Sequence, residues 1–160
     1  MYSITAESAH HPDILHLIAA LDRYQSELYP AESNHLLDLT KLPTASLILM
    51  IIRDRQLHAV GCGAVVLNGD GTGEMKRVYI DPAHRGQHLG EMLLAALEDE
   101  ALSRHCHTLR LETGIRQHAA VRLYEQCGYE QRPAFPPYVD DPLSLFMEKA
   151  LVVDVRLAAL

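Results

Sequence analysis

One segment constrains this chain more than any other: Val78-Tyr79-Ile80-Asp81-Pro82-Ala83-His84-Arg85-Gly86-Gln87-His88-Leu89-Gly90. It begins as a β-branched and aromatic stretch, turns at Asp81-Pro82 and passes through a glycine-containing loop into an apolar helical repeat. A strand must therefore lead directly into a helix. Backbone N–H groups that open a helix have no intrahelical partner and can converge on an anion. Gly86 and Gly90 permit close approach of the backbone, and Arg85 adds a cation. A pyrophosphate suits such a loop. Taken alone, the loop fits a plain turn into an ordinary helix as well, and its surroundings have to decide.

Those surroundings read as a mixed α/β fold. After a short strand at Ser3–Ala6, Pro12 suits a first helical turn, and Ile14, Leu17, Leu21, Tyr24 and Leu28 recur at helical spacing as a buried stripe. Pro30 closes this helix, and a polar stretch with a short helix around His35–Leu42 leads to Pro43 as a lid-like connection. Ser46–Arg53, Leu57–Leu67 and Glu74–Ile80 are separated by polar or glycine-rich turns and read as an antiparallel meander. Leu89, Leu93, Ala96, Leu97 and Ala101 mark the buried face of a long helix, with Glu91 and Arg104 at the ends that complement its dipole. A period-two strand over Thr108–Thr113 follows, then a helical stripe of Ala120, Leu123, Tyr124 and Cys127 stopped by Gly128. The Pro-rich loop Pro133–Pro142 precedes a last strand at Leu143–Lys149.

At 160 residues the chain holds one sizeable core, and no repeat or linker divides it. One domain is expected over 1–151, with a tail over 152–160. In that tail Leu151, Val153, Val155 and Leu157 alternate with Val152, Asp154, Arg156 and Ala158, as in a half-buried strand covered by its own sheet or by a second subunit. The formal net charge of −7 opposes attraction to phosphate backbones, so no nucleic-acid partner is expected. The longest apolar run, Leu47 to Ile52, is too short to span a bilayer, and Met1 to Ala20 lacks the basic head of a signal peptide. Three cysteines without close pairing, Cys62, Cys106 and Cys127, fit a reducing, cytoplasmic setting as small core residues rather than nucleophiles. His105-Cys106-His107 lacks further ligands at zinc-type spacing and reads as a buried or half-exposed loop; no metal is expected.

With the chain laid out, Arg85-Gly86-Gln87-His88-Leu89-Gly90 resembles the acetyl-CoA pyrophosphate loop of the GNAT acetyltransferases, Arg/Gln-x-x-Gly-x-Gly/Ala, with His88 in the middle glycine place. Gln117-His118-Ala119-Ala120-Val121-Arg122-Leu123-Tyr124-Glu125-Gln126-Cys127-Gly128-Tyr129 is similar to that family's Asn-x-x-Ala-x-x-Leu-Tyr-x-x-x-Gly-Phe, with Gln117 replacing the Asn whose amide touches the cofactor. The resemblance covers residues 3–150 and implies a single-domain GNAT-like fold: a mixed, mostly antiparallel twisted sheet flanked by helices. It implies acetyl-CoA as co-substrate, bound by Arg85, Gly86, Gln87, His88, Leu89 and Gly90, by Gln117 and Tyr124, and by the backbone of Val78, Tyr79 and Ile80, whose strand pairs with the pantetheine arm and polarises the thioester carbonyl.

The implied activity is acetyl transfer to a primary amine, on a small molecule or a peptide, by direct attack in a ternary complex. That chemistry requires a neutral amine, a stabilised oxyanion and a proton for the departing thiolate. Tyr124 is the expected general acid; a core-filling aromatic on the same stripe is its plainer role. Glu74 is the first choice of base, against a solvated charge beside a turn, and Glu112 is the second. The acceptor is expected between Glu27–His35 and Phe135–Asp141, both of which mix aromatics with carboxylates. Similar enzymes are frequently homodimers, which favours covering the tail with a second copy. The rival readings are a non-catalytic acetyl-CoA sensor or interaction module on the same fold, and an enzyme using another acyl-CoA or acylating protein lysines.

Overall fold

The computed structural model describes residues 1–33 and 36–152. The first strand, β1 (Ser3–Ala6), leads to helix α1 (Pro12–Leu28), with Pro12 at its N-terminal end and the His11 ring accepting from the Asp13 N–H. Short 3₁₀ turns at Ala31–Ser33, Leu39–Lys41 and Thr44–Ser46 connect α1 to β2 (Leu47–Arg53). The short helix expected around 35–42 is thus, among the described residues, a single 3₁₀ turn capped by Asp38, which accepts the Thr40 N–H. Three residues fixed by one local cap do not propagate into a longer helix.

The meander continues with β3 (Ala59–Leu67) and β4 (Thr72–Ile80), and α2 (Leu89–Ser103), β5 (Thr108–Gly114) and α3 (His118–Gln126) follow. A short strand β6 (Glu130–Arg132) and β7 (Ser144–Ala150) complete a seven-stranded sheet of order β1-β2-β3-β4-β5-β7-β6. Sequence periodicity misses β6, because three polar residues on the sheet edge carry no alternation to read. The remainder of the tail expected as a strand, residues 153–160, lies outside the described residues. No helix among the described residues is long and apolar enough to cross a membrane.

Every strand pair is antiparallel except β4 with β5. That parallel pair holds for three positions, Thr72 to Glu74 against Thr108 to Arg110, and ends there. Beyond it β4 continues to Ile80 and β5 to Gly114 without a shared ladder, so the sheet opens into a wedge between them. Apolar side chains close both faces. Leu93, Leu94 and Leu97 of α2 pack with Val65, Leu109, Leu111 and Met147, while Ile14 and Leu17 of α1 pack with Leu49, Ile51 and Ala64. Tyr24, assigned by periodicity to the buried stripe of α1, is 44 % exposed; that helix face meets the sheet as far as Leu21 and borders a cleft beyond it.

Candidate active site

A cleft of about 560 Å³ lies along the wedge. Val78, Tyr79 and Ile80 form one wall, the loop with His84, Arg85, Gly86, His88, Leu89 and Gly90 its end, and Gln117, Leu123 and Tyr124 of the α3 region the opposite wall. Ten of the residues expected at the cofactor are therefore brought together. Gln87 does not line the cleft; its amide oxygen accepts from the Tyr2 hydroxyl at 3.1 Å.

The loop geometry is set residue by residue. Asp81 accepts the Ala83 N–H at 2.9 Å, and Arg85 folds back to donate from Nε to the Ile80 carbonyl at 3.0 Å. Gly86 adopts φ +82, a conformation cheap only for glycine, and nothing lies within 4 Å of the place its Cβ would occupy. His88 takes the left-handed region, at φ +61, immediately before α2. Its Nδ1 lies 2.8 Å from Glu91 Oε2, with four-fifths of the side chain exposed. The ring is thus held on the first turn of α2, and the cradle beside Gly86 remains open. An open cradle at a helix start, with Arg85 beside it, fits a phosphate group.

Tyr124 is buried, at 7 % exposure, yet lines the cleft. Burial, assisted by the nearby Glu112 charge, holds its phenol well above the ordinary tyrosine range. The same side chain stacks edge-on with Tyr129, centroids 5.9 Å apart, so it fills the core and reaches the cleft at once.

A second, smaller cavity of about 60 Å³ adjoins the point where β4 and β5 part, lined by Tyr29, Ser33, Glu74, Lys76, Glu112, Gly114 and Gln117 among others. Gln117 lines both cavities. Glu74 is not a solvated charge beside a turn: its side chain is 16 % exposed, with Lys76 Nζ 3.0 Å from Oε2. The Tyr138 hydroxyl donates to the same oxygen and lies 2.9 Å from Lys76 Nζ. Burial first, then the Glu74 charge, raise the Tyr138 phenol. Glu112 accepts from the Ser144 hydroxyl at 2.7 Å. Tyr29 closes the far side: its hydroxyl accepts the Arg116 N–H at 2.9 Å and stands where a Cβ on Gly114 would be, 1.9 Å away. Only glycine fits position 114 beside that ring.

The segments expected to hold the acceptor do meet. Ser33 donates to Asp141 Oδ2 at 2.7 Å, and the 133–142 loop is anchored by Phe135, Tyr138 and Phe146, whose ring centroids lie 5.1 to 5.6 Å apart.

Comparison with known proteins agrees with this fold. The model of the acetyltransferase (GNAT) family matches residues 14–129. This chain belongs to the GNAT acetyltransferases. Over 93 % of the chain and 97 % of its relative, it is 45 % identical to an IAA acetyltransferase of Azospirillum brasilense. A solved Klebsiella pneumoniae protein, provisionally described as an acyl-CoA N-acyltransferase, is 56 % identical and superposes with a TM-score of 0.87 over 95 % of this chain and 99 % of that one. A Salmonella typhimurium structure, solved with its cofactor acetyl-CoA, shares the fold at 21 % identity, with a TM-score of 0.63 over 94 % of each chain.

Within this GNAT domain, sequence reasoning missed Lys76, Arg116 and the cleft position of Tyr24. Lys76 had a readable signal, since residues two apart on a strand share a face and Glu74 is two positions away. Arg116 had none, because its loop position carries no period. His105 and His107 flank the buried Cys106 at the end of α2, and no three-residue group of metal-ligating type exists among the described residues.

Proposed function

We propose that the protein transfers acetyl from acetyl-CoA to a primary amine, on a small molecule or a peptide end, by direct attack while both substrates are bound. One observation carries this reading: the large cleft and the small polar cavity meet at Gln117, with Tyr124 on the wall of the cleft and Glu74 and Glu112 in the cavity. Acetyl-CoA supplies the acetyl group as an activated thioester. Gly86, Arg85 and the start of α2 would hold its pyrophosphate, and Val78–Ile80 would lie along its pantetheine arm.

Tyr124 keeps its proton at neutral pH because its site is desolvated, and in this reading it gives that proton to the leaving sulfur. Glu74 receives the amine proton, directly or through water. A second assignment is favoured by the contacts of Glu74, whose Oε2 already faces Lys76 Nζ at 3.0 Å and accepts the Tyr138 hydroxyl, so that oxygen is occupied before an amine arrives. In that assignment Glu112 takes the proton and the Glu74–Lys76–Tyr138 group shapes the cavity. The pH dependence of turnover in Glu74→Gln and Glu112→Gln distinguishes the two. The variant that moves the profile along the pH axis has lost the base, and the one that changes only its height has not.

The reading also includes a cytoplasmic location and a homodimer in which the apolar tail is covered by a second copy. The function itself is tested by incubating the protein with acetyl-CoA and a panel of primary amines, followed by mass spectrometry. Acetylated amine with matching release of CoA is expected. Tight acetyl-CoA binding with no product from any amine would replace the enzyme with a sensor.

A further inference from the structure

Arg77 has no role in the chemistry described above, yet its surroundings constrain it from several sides. It stands in β4 at a bulge, where Arg77 and Val78 together oppose Gly63 of β3, and its backbone takes φ +56. A non-glycine residue in that region persists only where neighbours over-determine it. Its carbonyl accepts the Cys62 S–H at 3.5 Å. Its guanidinium, on a side chain 7 % exposed, donates from Nη2 to the Leu37 carbonyl at 2.8 Å and brings Nε to 3.1 Å from Asp22 Oδ1. Four parts of the chain therefore converge on one residue: β3, β4, α1 and the connection between α1 and β2.

The ion pair is a poor candidate for stability alone. Both Nε and Oδ1 are buried, and neither is aligned for a hydrogen bond, with the other or with any other described residue. Burial raises the Asp22 carboxyl against the opposing pull of Arg77. Desolvating two charges whose facing atoms, Nε and Oδ1, are not aligned with each other offsets much of their attraction. What the pair does fix is position. On one side of the bulge Lys76, together with Arg77 itself, lines the small cavity; on the other, Val78, Tyr79 and Ile80 line the large cleft.

We propose that Asp22 and Arg77 form a positioning pair for acyl transfer, holding the β4 bulge so that the acceptor and donor stretches of one strand keep a single alignment, and tying the α1–β2 connection to that strand. The inference rests on the transfer function proposed above, but its physical half can be tested without turnover. Two variants are suitable: Asp22→Asn, which keeps size and removes charge, and Arg77→Gly, which suits φ +56 and removes the side chain.

Hydrogen exchange of backbone amides in 75–80 should quicken roughly tenfold or more in both variants, with the amides of α2 unchanged. With acetyl-CoA and a primary amine as substrates, kcat should fall roughly tenfold while the affinity for CoA changes by less than about threefold, and Asp22→Glu should recover part of the loss. Exchange and kcat like those of the unaltered protein in both variants would overturn the proposal. So would a kcat loss that only tracks a lowered melting temperature, which would mark the pair as structural. Should the unaltered protein transfer no acetyl group to any amine, the functional reading fails, and the exchange result alone still decides whether the pair holds the bulge.

Discussion

Tyr124 joins a packing role seen in the fold to the acid role proposed for it. Its place on the α3 stripe buries the ring against Tyr129, and its place in the Leu-Tyr motif brings it to the wall of the cleft. Removing only the hydroxyl leaves the packing intact, so Tyr124→Phe should lower kcat roughly tenfold or more with little change in acetyl-CoA affinity. Steady-state kinetics alongside calorimetric binding check this, and unchanged turnover would remove the acid role. Cys62 makes a contrasting prediction. Burial pushes its thiol up to about 12, so at pH 8 it carries no thiolate to react. Native-state alkylation followed by peptide mass spectrometry should leave Cys62 unmodified, and denaturation should expose it. Because the folded protein holds this proton more tightly than the unfolded chain, that share of stability is complete below about pH 8.5 and is lost as the pH rises toward about 12.

At the scale of elements, the site depends on where β4 and β5 part. Three paired positions fix their start, and the divergence beyond Glu74 and Arg110 gives both cavities their shared border. Gly114 ends β5 against the Tyr29 ring. Gly114→Ala should displace Tyr29, break its bond from the Arg116 N–H and destabilise the fold by about 1 to 3 kcal/mol, measurable by chemical denaturation. Stability like that of the parent would mean the two elements pack less tightly than described. The glycine loop and both flanking motifs were legible because they are local: strand, turn and helix follow one another in sequence. The wedge was not, since it depends on a parallel pairing between strands separated by a whole helix. Lys76 and Tyr138 meet for the same reason only in three dimensions, 62 positions apart. Tyr24 belongs here as well, because helical periodicity marks a face and not what that face meets.

Across the whole molecule, a formal net charge of −7 opposes anions in general, so the proposed cofactor depends on the local N–H groups and cation at Gly86 and Arg85. Arg85→Glu should weaken CoA binding by roughly tenfold or more, and CoA should raise the melting temperature of the parent and much less that of the variant. Equal affinities would move the pyrophosphate elsewhere. The tail predicts assembly: light scattering should give a dimer for the full chain and a smaller species for one ending at Leu151, whereas a full-length monomer at micromolar concentration contradicts the dimer. Sequence composition bounded the anion affinity without locating it, and the large cleft with Arg85 and Gly86 at its end is where it is proposed to lie. Direct transfer, as proposed, requires donor and acceptor to be bound together across the Gln117 junction, with no acetyl group parked on the protein between them. Initial velocities with acetyl-CoA and amine both varied test this most directly. Double-reciprocal lines that intersect are predicted, whereas parallel lines, accompanied by an acetylated form of the protein when no amine is present, would contradict it.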